Sequence, residues 1–241
     1  MRLKIFKPIP ILLLAMFLVV STQTNAAQDK LWNFRLYAAA LDSGSSASTN
    51  TTSIGDTTEF INSYSVDMGN GSGIGLSAER LVLNKRLGLE FGVLFADLDT
   101  ELMVDITGGA SGDRKAVTSV SSAFESLYFS TNYHIFNPEK WYDLYAGASL
   151  NLIHYSDSRV TVDGAPGQFN IEDDIGYGLL LGFDAKFGEQ QKWRITSGLR
   201  YLFTETLFSF NFETADGGTS VAPVNVEVNP VILQLGLGYS F

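Results

Sequence analysis

The sequence predicts an all-β protein, namely an eight-stranded antiparallel transmembrane β-barrel with short turns at one rim and long loops at the other. Three observations support this fold class. Apolar residues alternate with small or polar ones over eight segments, short and long connections alternate between the segments, and all three tryptophans lie at the same ends of their segments. A period of two residues is typical of a β-strand with one apolar face.

The composition narrows the class of protein further. Charged residues make up only 17% of the 241-residue chain, below the roughly one quarter that is typical of soluble domains. The net charge of -10 comes without any run of Lys or Arg, which excludes nucleic acid as a partner because phosphate binding needs clustered cations. The chain has no cysteine, so disulfides and thiolate metal sites are excluded. We expect neither a metal nor a cofactor.

Residues 1–26 are predicted to be a secretory signal peptide. Arg2, Lys4 and Lys7 form a basic region, residues 11–20 are apolar throughout, and a possible cleavage site ends at Ala26. A helix of that apolar length rises about 15 Å, which is half of a bilayer core, so a permanent transmembrane helix is disfavoured. The predicted domains are therefore the signal peptide, 1–26, and the barrel, 27–241.

The predicted strands carry Leu, Phe and Tyr on one face and mostly Gly, Ser and other small residues on the opposite face. This distribution suits a narrow barrel that turns its apolar face to lipid, whereas a soluble sandwich would pack that face inward. In chain order the strands are 32–41, 74–83, 87–95, 127–135, 144–152, 175–187, 193–203 and 231–241.

The connections predict the orientation of the barrel. Residues 84–86, 137–142 and 188–192 are short turns, whereas residues 42–73, 97–120, 156–173 and 209–229 are long. Outer-membrane barrels have short periplasmic turns and long extracellular loops. This orientation places an interfacial girdle of aromatic rings at the periplasmic ends of the strands, as expected at headgroup level. The girdle residues are Trp32, Trp141, Trp193, Tyr239 and Phe241.

Every second residue of each predicted strand points into the lumen, and these inward residues divide the lumen into two halves. The periplasmic half receives side chains of both charges, which we expect to form an ion-pair plug: Arg35, Glu79, Glu90, Asp143, Asp184, Lys186 and Arg194. His134 should also point inward there. The outer half is apolar and is the candidate ligand-binding surface: Leu94, Ile153, Leu180, Leu202 and Ile232. An apolar pocket above a charged plug suits a small hydrophobic ligand; alternatively, these side chains only fill the barrel.

One constellation permits catalysis. His154 and Ser156 share a strand face near the outer rim, and Asp173 on the neighbouring strand is in phase to orient the histidine. This geometry allows a lipid A or lipid acyl hydrolase with a Ser-His-Asp triad. No oxyanion hole is identifiable in the sequence, so we favour a barrel that is not an enzyme.

Several segments resemble the outer-membrane protein W family. Residues 229–231 and 236–241 resemble its last strand, residues 145–151 its fifth, residues 173–176 the start of its sixth, and residues 87–91 its third. Family members often carry Trp where this chain has Ile175 and Val231. The resemblance implies a multi-pass protein of the bacterial outer membrane that passes small hydrophobic molecules and releases them sideways through its wall.

The expected partners are the lipid and lipopolysaccharide of the outer membrane, a small hydrophobic ligand and the barrel-assembly machinery. A structural or surface-interaction barrel and the lipid hydrolase remain the alternative functions.

Overall fold

The computed structural model describes residues 32–53, 59–83, 85–108, 114–136, 140–156, 158–162, 165–214 and 217–241. The predicted signal peptide lies outside these residues. The described chain forms eleven β-strands and one 3-10 turn, Glu189–Gln191. In chain order the strands are β1 Trp32–Ser53, β2 Glu59–Val82, β3 Leu87–Gly108, β4 Arg114–His134, β5 Tyr142–Tyr155, β6 Ser158–Val162, β7 Ala165–Ile171, β8 Asp174–Phe187, β9 Trp193–Thr214, β10 Gly217–Val228 and β11 Val231–Ser240.

Eight of these strands close into a ring. The order is β1-β2-β3-β4-β5-β8-β9-β11, and β11 pairs with both β9 and β1, always antiparallel. Closure leaves the ring without a free strand edge, so the backbone hydrogen bonds are satisfied within it, as the hydrocarbon core of a membrane requires. The predicted eight-stranded antiparallel barrel is confirmed.

The outer ends of the strands reach further than the sequence predicts. β1 and β2 continue into a hairpin above the ring, as do β3 and β4, while β9 pairs with β10 and with β7. Much of each long connection is therefore paired strand. The extension of β1 is hard to predict from the sequence, because residues 42–53 contain nine Ser, Thr and Asp residues and a single apolar residue, Ala47.

The barrel wall follows the predicted alternation of large residues outside and small residues inside. On β8, Ile175, Tyr177, Leu179 and Leu181 are exposed toward lipid, while the residues that alternate with them are buried. The inward glycines make room for tyrosines on the neighbouring strands. A Cβ atom at Gly75, Gly92 or Gly182 would collide with the ring directly opposite it, which belongs to Tyr37, Tyr128 or Tyr145, respectively. Large rings can thus lie across this narrow lumen.

Within the described residues, no helix combines the length and the apolar character needed to cross a membrane.

Candidate functional site

Charged side chains of the periplasmic half converge on Arg35. Its Nη2 atom lies 2.7 Å from Glu79 Oε2 and 3.2 Å from Asp184 Oδ2, and its Nη1 atom lies 3.4 Å from Glu90 Oε1. Arg194 joins the group through Nη1, which donates to Asp184 Oδ2 at 2.7 Å. All five side chains are buried. Buried ions persist when they are paired and hydrogen-bonded, and this network ties together β1, β2, β3, β8 and β9.

His134 extends the network to β4 and β5. Its Nδ1 atom lies 2.7 Å from Asp143 Oδ2 and its Nε2 atom lies 3.1 Å from Glu79 Oε1. His134 therefore bridges Glu79 of β2 and Asp143 of β5. The sequence placed His134 in the lumen but gave no indication that it bridges two carboxylates 55 and 9 residues away.

Neutral side chains complete the plug. Asn33 and Asn132 donate to Glu79 at 2.9 and 3.0 Å, and Ser130 donates to Glu90 at 2.9 Å. Sequence reasoning missed these three residues, although each lies in the inward phase of its strand. Lys186, which faces Arg194 across the β8–β9 pair, is only half-buried near the periplasmic end.

A layer of tyrosines and one arginine lies above the plug. The hydroxyl groups of Tyr37 and Tyr128 are 3.0 Å apart, and the Arg35 Cζ atom is 5.1 Å from the centre of the Tyr145 ring. The Cζ atom of Arg200 is 3.7 Å from the centre of the Tyr128 ring. This layer separates the charged half of the lumen from the apolar half. Sequence reasoning also missed Arg200, although it shares the inward phase of Arg194 and Leu202.

The predicted apolar surface of the outer half is buried. Leu94, Ile153, Leu202 and Ile232 belong to one apolar cluster that continues upward into the hairpins through residues such as Leu98. Leu180 is also buried but lies outside this cluster. Apolar side chains therefore close the outer lumen, and the structure brings four of the five predicted residues into one cluster.

A depression of about 250 Å³ marks the outside of the wall midway along β2, β3 and β4. Its lining includes Gly73 and Ala96, which face each other across the strand pair, together with Ile74, Phe95 and Glu125. Gly73 has no side chain and Ala96 only a methyl group, so the wall is thin here.

The predicted triad is only partly assembled. His154 Nδ1 lies 2.6 Å from Asp173 Oδ1, with the two side chains 37% and 51% exposed. The hydroxyl oxygen of Ser156 accepts a hydrogen bond from the backbone N–H of Ala123 at 2.9 Å, which ties the end of β5 to β4. The described contact of the serine is thus with backbone, and this arrangement gives no support for catalysis.

Aromatic residues gather at the periplasmic ends of the strands. The ring of Tyr239 lies 5.0 Å from Trp193 and 4.9 Å from Phe241, and both contacts are edge-to-face. Trp141 is exposed and Trp32 is half-buried at the same end of the barrel. Such rings suit the interface between headgroups and hydrocarbon.

A closed antiparallel ring with an apolar exterior, an aromatic girdle and a lumen filled by side chains defines an outer-membrane β-barrel. The sequence model of the OmpW family matches residues 41–241. The chain belongs to this family and lies in the bacterial outer membrane, which confirms the resemblance and the predicted location.

Solved structures of outer-membrane barrels share the fold. OprG from Pseudomonas aeruginosa has a TM-score of 0.62 at 17% identity, covering 87% of this chain and 95% of that one. AlkL has a TM-score of 0.52 at 19% identity, covering 91% and 94%. The outer membrane protease OmpT from Escherichia coli has a TM-score of 0.53 at 9% identity, covering 92% and 100%. No curated protein sequence matches the chain.

Proposed function

We propose that this barrel binds small hydrophobic molecules in its outer lumen and passes them across the outer membrane. The observation that carries the proposal is the inward apolar cluster of Leu94, Ile153, Leu202 and Ile232, which lies above the charged plug and the tyrosine layer. An apolar ligand gains about 25 cal/mol for each Å² that such a surface removes from water. A hydrophilic solute gains nothing comparable there. Membership of the OmpW family supports the same function.

We propose that the ligand leaves through the wall rather than through the periplasmic end. The plug around Arg35 would force an apolar molecule past buried ion pairs, at a high cost in free energy. Gly73 and Ala96 carry little or no side chain, and they line the depression on the outside of the wall. A ligand released there would enter the lipid directly.

Entry requires movement of side chains. Leu202 and Ile232 are at most 1% exposed, so the lumen is closed in this structure. Parting of the hairpins above the ring would admit the ligand. The same closure favours the alternative of a structural barrel whose lumen is merely filled.

The test compares Leu202→Arg and Leu180→Arg with Leu181→Arg. The first two variants place a cation in the lumen wall, whereas Leu181 faces lipid. We expect the lumen variants that fold to take up a hydrophobic fluorescent probe at least about tenfold more slowly than the parent. The Leu181 variant should mainly lower the folded fraction, because a cation at mid-bilayer costs about 2–4 kcal/mol.

Both the folded fraction and the uptake rate are measured for each variant. Folded lumen variants that transport the probe like the parent would leave only the structural interpretation. If the parent protein binds no probe in lipid vesicles, the structural interpretation would likewise be the one that remains.

We also propose two groups of partners for the outer surface. The apolar exterior contacts outer-membrane lipid and lipopolysaccharide. Phe241, an exposed aromatic residue that follows β11, is recognised by the barrel-assembly machinery.

A further inference from the structure

Arg200 is a buried cation at the boundary between the tyrosine layer and the apolar outer lumen. It is 2% exposed. On β9 it precedes Leu202 in the inward phase, and the strand register places it opposite Leu180 of β8 and Ile232 of β11. Three of the apolar residues assigned to the ligand surface therefore surround its position in the wall.

The charge of Arg200 is poorly compensated. Its Nη1 atom donates to Asn151 Oδ1 at a long 3.4 Å, and its Nε atom has no partner. Across the part of the chain that the structure describes, Arg35 and Arg194 each have a carboxylate oxygen at 2.7 Å, while Arg200 takes part in no ion pair. Because an arginine does not lose its proton in proteins, the buried charge is not removed by deprotonation.

A second unpartnered donor lies beside it. Gln234 points inward from β11 opposite Gly198, one inward step below Ile232, and is 9% exposed. Its Nε2 atom also has no hydrogen-bond partner. Arg200 and Gln234 are diagonal neighbours on adjacent strands, a separation that long side chains bridge. Buried donors without acceptors are costly, and both of these would be satisfied by one acceptor group.

We propose that Arg200 binds the carboxylate of an amphiphilic ligand, such as a fatty acid, with the help of Gln234. The acyl chain then lies among Leu202, Ile153 and Ile232. This proposal rests on the proposed function and names its substrate class. Stacking on the Tyr128 ring covers a face of the planar guanidinium, and the unpartnered Nε atom lies on an edge that suits a bidentate carboxylate.

The chemistry of the site favours a carboxylate over a bulkier or more highly charged head. Arg200 supplies a single positive charge, which one carboxylate neutralises. The plug below it already holds several carboxylates, so a second negative charge on the ligand would be repelled.

The test measures binding of dodecanoate and of dodecan-1-ol to the full barrel in lipid vesicles, with vesicles lacking protein as the blank. At pH 7 we expect dodecanoate to bind at least about tenfold more tightly, because a hydrogen bond to a charged group adds to the shared apolar term. The preference should disappear once the pH falls below about 4, where a carboxyl group is protonated.

Arg200→Gln should abolish the preference for dodecanoate and leave binding of dodecan-1-ol within about twofold of the parent. Arg86→Gln, at an exposed periplasmic turn, is the matched control and should keep the preference. Equal binding of both ligands by the parent would overturn the carboxylate site while leaving the proposed function intact. Binding of neither would overturn both. If Arg200→Gln does not fold, the parent protein still tests the carboxylate site. Its preference for dodecanoate over dodecan-1-ol, and the loss of that preference at low pH, support or overturn the proposal.

Discussion

Replacement of Glu79 by Gln should destabilise the barrel more than any exposed Glu→Gln change. Glu79 is 0% exposed, and each of its oxygens accepts two hydrogen bonds: Oε2 from Arg35 and Asn33, and Oε1 from His134 and Asn132. A glutamine puts an NH₂ group in place of one oxygen. The donor groups that contact that oxygen then face the NH₂ group, which is itself a donor. Arg35 also loses the carboxylate that lies 2.7 Å from its Nη2 atom.

The expected loss in the free energy of unfolding follows from the charged groups that lose a partner. Arg35 keeps only the contacts with Asp184 at 3.2 Å and Glu90 at 3.4 Å, and His134 keeps Asp143. Removal of one partner of a buried ion pair typically costs about 3–5 kcal/mol. That is a change of about 150-fold to several thousandfold in the unfolding equilibrium constant. By contrast, replacement of an exposed carboxylate usually changes stability by about 0.5 kcal/mol or less.

The assay is reversible urea unfolding in lipid vesicles, followed by tryptophan fluorescence and by heat-modifiable mobility on gels. Glu101→Gln, which changes an exposed side chain on β3, is the matched control. If Glu79→Gln and Glu101→Gln unfold at the same urea concentration, the plug does not stabilise the barrel as argued.

Two further predictions concern topology and assembly. A cysteine at Thr52, in the β1–β2 hairpin, should react with an impermeant maleimide on intact cells, whereas a cysteine at Gln190, in the turn before β9, should not; labelling of Gln190 alone would reverse the orientation. Deletion of Phe241 should lower the heat-modifiable folded fraction in cells, because it removes the exposed aromatic ring that we propose the assembly machinery recognises. An unchanged folded yield would contradict that role.

The ring of the barrel was predictable because lipid imposes a strict alternation on each strand. The last strand shows this clearly: Leu233, Leu235 and Leu237 are exposed, and Ile232 and Gln234 are buried. Above the membrane the constraint weakens, since outward residues meet water and need not be apolar. The hairpin strands there reverse the contrast: Val66, Met68 and Leu98 are buried, whereas Asp67 and Asp99 are exposed. A search for an apolar outer face therefore does not detect them.

The sequence predicts which residues face the lumen, but it does not predict which of them contact each other. Alternation along a strand states which side chains point inward, and on that basis Arg35, Glu79 and Asp184 are assigned to the lumen. Contacts across the lumen depend on strand register and on the stagger of the closed barrel, which no single strand encodes. The bridging role of His134 depends on those two quantities and so could not be deduced from the sequence.

The position of Arg200 shows why this distinction matters for function. Along β9 it lies among Thr196, Gly198 and Leu202, a mixed row that indicates only an inward face. Across the wall the register places it between Leu180 and Ile232, where its guanidinium is buried and, among the described residues, takes part in no ion pair. If the barrel were only a filled structural core, an apolar side chain would be more stable at this position. A ligand with a carboxylate group explains why a charge is present at this position. The cost of burying the Arg200 guanidinium is offset when the carboxylate is bound. Selectivity among hydrophobic molecules then depends on a cation at the floor of an apolar lumen rather than on the apolar residues themselves.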